Sequence, residues 1–92
     1  MDVFGQLVEE IIKDQEDIIG PIALEQAKKV PGLKVDLEKH NVQFDGNQTD
    51  VIEKLVEKYK EIFGQASVEV CKEASKKILV GVSKENIPPL LQ

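Results

Sequence analysis

The residues best equipped for chemistry in this sequence are carboxylates. They cluster at Glu9, Glu10, Asp14, Glu16 and Asp17, and again at Glu53, Glu57 and Glu61. General acid–base catalysis would need a pocket that drives the pKa values of two of them apart. Their spacing instead puts most of them on the outer faces of helices, interspersed with Lys, where carboxylates are ordinarily solvated.

The remaining candidates are weaker. His40 is the only histidine, so one chain cannot build a His-rich metal site or a Glu-x-x-His carboxylate site, and a turn residue is the simpler reading. Asp45-Gly46-Asn47-Gln48-Thr49-Asp50 has the oxygen-rich look of a calcium loop. The EF-hand pattern needs Gly at the sixth position and a bidentate Glu at the twelfth, and those places hold Asp50 and Val56. Cys71 lies on an apolar stripe with no base spaced to activate it, so it reads as a small buried hydrophobe. Ser67, Ser75 and Ser83 lack the G-x-S-x-G elbow, and Gly20-Pro21 belongs to no phosphate-cradling loop. No catalytic residue, metal ligand or cofactor site is expected.

The elements that carry these residues follow from hydrophobic periodicity. Val3, Phe4, Leu7, Val8, Ile11 and Ile12 recur as one face of a helix from Asp2 to about Asp14. A second helical segment, Asp17 to Val30, carries Ile18, Ile19, Ile22, Ala23, Ala27 and Val30, is broken or bent at Gly20-Pro21, and is stopped by Pro31-Gly32. Asp17 is placed to cap it. Between Leu33 and Asn47 the period becomes two, with Leu33, Val35, Leu37, Val42 and Phe44 alternating with polar residues. A short hairpin turning near Lys39-His40-Asn41 suits this pattern, and an ordinary connector is the alternative. Asp50, with Glu53 three residues on, opens a third helix that runs to Gly64 and carries Val51, Ile52, Leu55, Val56, Tyr59, Ile62 and Phe63 as its apolar stripe. A fourth spans Gln65 to Val80 and closes at Gly81. Residues 83–92, with Pro88-Pro89 before Leu90-Leu91, read as a tail that frays or docks on its own domain, with an exposed binding surface as the alternative.

The two helical segments are copies. At an offset of 44 residues (64 − 20), Val8 superposes on Ile52, Ile11 on Leu55, Ile12 on Val56, Ile18 on Ile62, Ile19 on Phe63, Gly20 on Gly64 and Ala27 on Cys71. Two amphipathic helix pairs would match in part when aligned by their apolar faces, but the coincident glycines argue for more. Gly is unfavourable inside a helix, so a bend or a close backbone crossing at both places is expected. The predicted fold is mainly α: one domain over 1–92, a pseudo-two-fold repeat of helix pairs (about 2–32 and 49–82), four helices in all, with a hairpin or linker over 33–48 and a tail over 83–92.

Charge limits the partners. Seventeen acidic residues face twelve basic ones, a net charge of −5, and every basic residue is Lys. Without Arg or a basic aromatic face, nucleic acid is not an expected partner. No apolar run approaches the length of a membrane span, no secretory leader is read at Met1, and a single Cys cannot close an intramolecular disulfide. The cytoplasm is the expected compartment. A small aliphatic core makes a homodimer the structural default.

Ile18-Ile19-Gly20-Pro21-Ile22-Ala23, following an acidic amphipathic helix, resembles the helical accessory domain of prokaryotic signalling proteins such as serine/threonine kinases, nucleotide cyclases and their standalone relatives. Leu55-Val56-Glu57-Lys58-Tyr59, followed by Gly64 and Ala66, is similar to its second half, with Gln65 departing from the Gly-Pro pattern. The resemblance covers most of residues 7–74 and implies regulation or protein association, with no catalytic residue. The expected function is a non-enzymatic association module, self-associating and with a regulatory protein partner. Its expected surfaces are Gly20, Pro21 and Gly64, the hairpin edge Val35, Leu37, Val42 and Phe44, and the tail residues Leu90 and Leu91. The alternatives are a bundle holding an apolar ligand between its helices and, last, an enzyme with dimer-assembled carboxylates.

Overall fold

A computed structural model describes residues 2–92. Helix α1 spans Val3–Ile19, α2 Ile22–Lys28, strand β1 Leu33–Asp36, β2 Asn41–Phe44, α3 Gln48–Phe63 and α4 Gln65–Ile78, followed by 3₁₀ turns at Lys84–Asn86 and Pro89–Leu91. The architecture is mainly α, two helix pairs with an antiparallel hairpin between them.

Helix α1 starts where Asp2 accepts the Gly5 N–H at 2.8 Å, satisfying one of the first-turn donors that a helix leaves unpaired. It does not stop at Asp14 but runs unbroken to Ile19. Asp17 therefore lies in its last turn and caps nothing, and α2 begins behind Pro21 without a side-chain cap. The cap of α3 also differs from expectation. Asn47, not Asp50, is the N-cap, accepting the Asp50 N–H at 3.1 Å. Asn can adopt the extended backbone of a cap while its amide oxygen reaches back into the first turn.

The core is aliphatic. Leu7, Val8, Ile11 and Ile12 of α1 and Val51, Ile52, Leu55 and Val56 of α3 are buried, with Ala23 and Ala27 from α2 and Val68, Cys71 and Ala74 from α4. Burying side chains of this size contributes about 1.5–3 kcal/mol each before conformational entropy is counted. The hairpin pairs Leu33 with Phe44, Lys34 with Gln43, Val35 with Val42 and Asp36 with Asn41. Its turn is closed by the His40 N–H on the Leu37 carbonyl at 3.2 Å, with His40 in the left-handed region (φ 51°). Val35, Leu37, Val42 and Phe44 are half-buried against the core, and the polar face points outward.

The C-terminal segment is docked, not a free apolar tail. Leu91 and Pro88 are buried, and the last 3₁₀ turn packs on α3 and α4. The Leu90 N–H donates to Glu53 Oε1 at 2.9 Å, so Glu53 anchors the tail instead of closing a capping box. Leu90 is half-buried.

Candidate functional site

The two helix pairs turn through the same corner. Gly20 (φ 74°, ψ −157°) and Gly64 (φ 73°, ψ −158°) adopt one conformation, in a region of backbone space that is essentially glycine's alone. The Gly20 N–H bonds the Glu16 carbonyl at 2.9 Å and the Gly64 N–H the Lys60 carbonyl at 2.7 Å. The Ala23 and Ser67 N–H groups then bond the Gly20 and Gly64 carbonyls, both at 3.1 Å. The expected backbone crossing is not found. A Cβ at either glycine would meet nothing within 4 Å, so conformation, not crowding, selects Gly at both places. Pro21 is exposed beside the first corner.

The long helices exchange polar contacts across the pseudo-two-fold. Gln15 of α1 and Tyr59 of α3 are equivalent at the repeat offset, and both are completely buried. Tyr59 donates its hydroxyl to the Ala23 carbonyl of α2 at 2.7 Å. Gln15 donates to the Ser67 carbonyl of α4 at 3.0 Å, and the Ser67 hydroxyl donates back to Gln15 Oε1 at 3.1 Å. Ala23 and Ser67 are themselves equivalent. Each half thus sends one polar side chain into the first turn of the other half's second helix. The same Gln15 amide lies 3.4 Å from Cys71 Sγ. Burial raises the Tyr59 hydroxyl above its ordinary value and pushes the Cys71 thiol up to about 12, which keeps Cys71 protonated and unreactive at neutral pH.

These exchanged bonds hold both corners at the same end of the molecule. There the apolar stripes continue past the last buried positions, Gln15 and Tyr59, onto the surface. Ile18 is 42% exposed, Ile22 37%, Ile62 40% and Phe63 48%. Periodicity assigned all four to the core, and their exposure is what the sequence reading missed. Ile18, Ile62 and Phe63 lie in the last turns of α1 and α3, past the buried part of each stripe, and Ile22 opens α2 just beyond the first corner. The signal available in the sequence was the recurrence of Ile18 as Ile62 two residues before each glycine.

The carboxylates do not assemble a catalytic pocket. Glu10 and Asp14 flank Lys77 of α4 at 3.6 and 4.0 Å. Burial, then the neighbouring Glu10, raises Asp14 to about 6. Burial opposes ionisation of Glu9, but hydrogen bonds from His40 (3.2 Å) and Lys13 (3.4 Å) outweigh it and hold Glu9 below the usual range. His40 is thereby an exposed partner on the turn. Among the described residues no group of three or more His, Cys, Asp and Glu side chains is placed to hold a metal ion. Grooves of about 1020 and 220 Å³ open beside the hairpin, the larger lined by residues including Asp2, His40, Val42, Phe44 and Gln48, the smaller by Gly32, Leu33 and Phe44.

Among the described residues no helix is long and apolar enough to cross a membrane. Comparison of the chain with protein-family models, curated proteins and solved structures finds no match.

Proposed function

We propose that this chain is a non-enzymatic association module that works by docking another polypeptide on its two-corner end, in a regulatory or signalling assembly. The observation that carries the reading is the set of four large apolar side chains, Ile18, Ile22, Ile62 and Phe63, uncovered around two equivalent corners. Large aliphatic and aromatic residues gathered at one end of a small domain mark an association site more often than chance exposure. The interior supports the same reading. Among the described residues no fully buried side-chain nitrogen or oxygen lacks a hydrogen-bond partner, and burial keeps the Cys71 thiol protonated. The resemblance to accessory domains of signalling proteins agrees with this class of work.

A photo-crosslinking amino acid tests the proposal. Benzoylphenylalanine in place of Phe63 is expected to give a discrete protein adduct in cells, whereas the same probe in place of Val80, which is 80% exposed near the far end of α4, is not. Equal labelling from both positions, or none from Phe63, would reject the corner as a docking surface.

A further inference from the structure

We infer that the partner seated on the two-corner end is a cationic amphipathic segment, one that presents large apolar side chains flanked by Lys or Arg. This inference rests on the association reading and adds the chemistry of the occupant.

The rim of the apolar cluster is acidic. The equivalent stretches 16–25 and 60–69, which contain both corners, carry the carboxylates Glu16, Asp17, Glu25, Glu61 and Glu69 against the lone cation Lys60. Glu69 is engaged by Lys72 at 3.8 Å and by the Gln65 amide at 3.2 Å. Glu16, Asp17, Glu25 and Glu61 have no side-chain hydrogen bond or ion pair among the described residues. Glu9, Glu10, Asp14 and Glu73 have Lys partners, whereas Glu38, Asp45, Asp50, Glu57 and Glu85 have none among the described residues; what marks the corner stretches is five carboxylates against one cation within twenty residues.

Two of the unpaired groups also stand where the fold disfavours them. Asp17 and Glu61 occupy equivalent places in the last turns of α1 and α3, and α1 has no basic residue in that turn. The carbonyl end of a helix carries partial negative charge, so a carboxylate there opposes helix stability and is relieved by a cation brought from outside. An apolar cluster ringed by such carboxylates is complementary to an amphipathic helix with a basic rim, its apolar residues on Ile18, Ile22, Ile62 and Phe63 and its ammonium or guanidinium groups on Asp17 and Glu61. The same ring disfavours the other occupants. A second copy joined corner to corner would set these carboxylates against their own kind, and an anionic lipid surface would be repelled.

The test titrates the isotope-labelled 92-residue chain with three helical peptides and follows backbone NMR shifts. One peptide has a Leu face and a Lys rim, the second the same face with a Glu rim, and the third a Lys rim with Ser in place of Leu. The Leu/Lys peptide is expected to shift the resonances around both glycines, to bind about tenfold more weakly to the Asp17→Lys/Glu61→Lys variant, and to weaken as salt rises from about 0.05 to 0.5 M. The Glu-rimmed and Ser-faced peptides are expected to leave the corner unshifted. The inference is overturned if the Glu-rimmed peptide binds equally well, if the Leu/Lys peptide maps to another face, if zwitterionic vesicles occupy the corner in its place, or if the free chain dimerises through Ile62 and Phe63. An adduct from position 63 in cells combined with peptide indifference would leave the docking surface standing and remove only the cationic partner. Loss of the adduct as well would remove both.

Discussion

The halves of this molecule share a corner and part company just after it. Helix α2 ends at Lys28 after seven residues, whereas its equivalent α4 runs fourteen, to Ile78. Pro31-Gly32 stands where Ser75-Lys76 continue α4. Pro resists the helical path, and Gly32 (φ +83°) turns the chain against Asp45, whose N–H donates to the Gly32 carbonyl at 2.7 Å. The hairpin that follows packs on α1 and α2, in place of the turns that α2 lacks. The repeat thus builds the core and the two-corner end, and the departure from repetition builds the cover elsewhere. Of the uncovered apolar side chains, Ile18 and Ile62 are equivalent, whereas Ile22 stands opposite Ala66 and Phe63 opposite the half-buried Ile19.

The glycines give the largest contrast. A Cβ at Gly32 would approach the Asp45 carbonyl oxygen to 2.6 Å, a backbone clash on top of the left-handed strain. Gly32→Ala is expected to cost about 3 kcal/mol or more, and Gly20→Ala and Gly64→Ala about 2 kcal/mol each, equal to one another, from urea unfolding. A Gly20 cost matching that of Gly32 would revive the crossing that the open space around Gly20 excludes.

The exchanged bonds should differ in worth, because their surroundings do. Gln15→Leu leaves the buried Ser67 hydroxyl without its acceptor and is expected to destabilise by about 2 kcal/mol. Tyr59→Phe keeps the ring and removes a bond to a carbonyl that helix α2 also uses, at about 1 kcal/mol. A reversed order would mean that the phenol, not the amide, fixes how the halves meet.

Titration should reveal the first half alone, since the place equivalent to Asp14 holds Lys58. The carboxyl of Asp14 is raised in the folded state from 3.8 to about 6 by burial and then by Glu10, with Asp17 adding to the rise and Lys77 opposing it. The folded chain therefore binds more protons than the unfolded chain between those values, and stability falls as pH rises through that window. Asp14→Asn is expected to flatten that slope and to stabilise the protein at neutral pH by about 1 kcal/mol. An unchanged slope in denaturation midpoint against pH would contradict this.

Most of the fold was legible because period and punctuation agree. Apolar spacing marked all four helices, alternation marked the hairpin, and the offset between Gly20 and Gly64 marked the repeat. The end of α1 was misplaced because Asp17 has the chemistry of a cap, while the backbone choice lay with Gly20. The role of Asn47 was hidden by the stronger-looking Asp50 and Glu53, and Glu53 proved to be held by the tail. The candidate site was the least legible part. Periodicity reports which residues share a face but not whether a neighbouring helix is long enough to cover it, so Ile18 and Ile62 looked like core. The pairing of Gln15 with Ser67 joins residues far apart in sequence, and no local pattern announces it.

The claim that the corner residues face outward for docking, and not for folding, is tested most directly by Ile62→Ser/Phe63→Ser. The variant is to be unfolded in urea and also crosslinked in cells from benzoylphenylalanine at position 22. The expected result is a stability within about 1 kcal/mol of the parent, as for surface substitutions, together with loss of the adduct that the parent gives from the same position. A loss of several kcal/mol, as for core truncation, with an unchanged adduct would contradict the account.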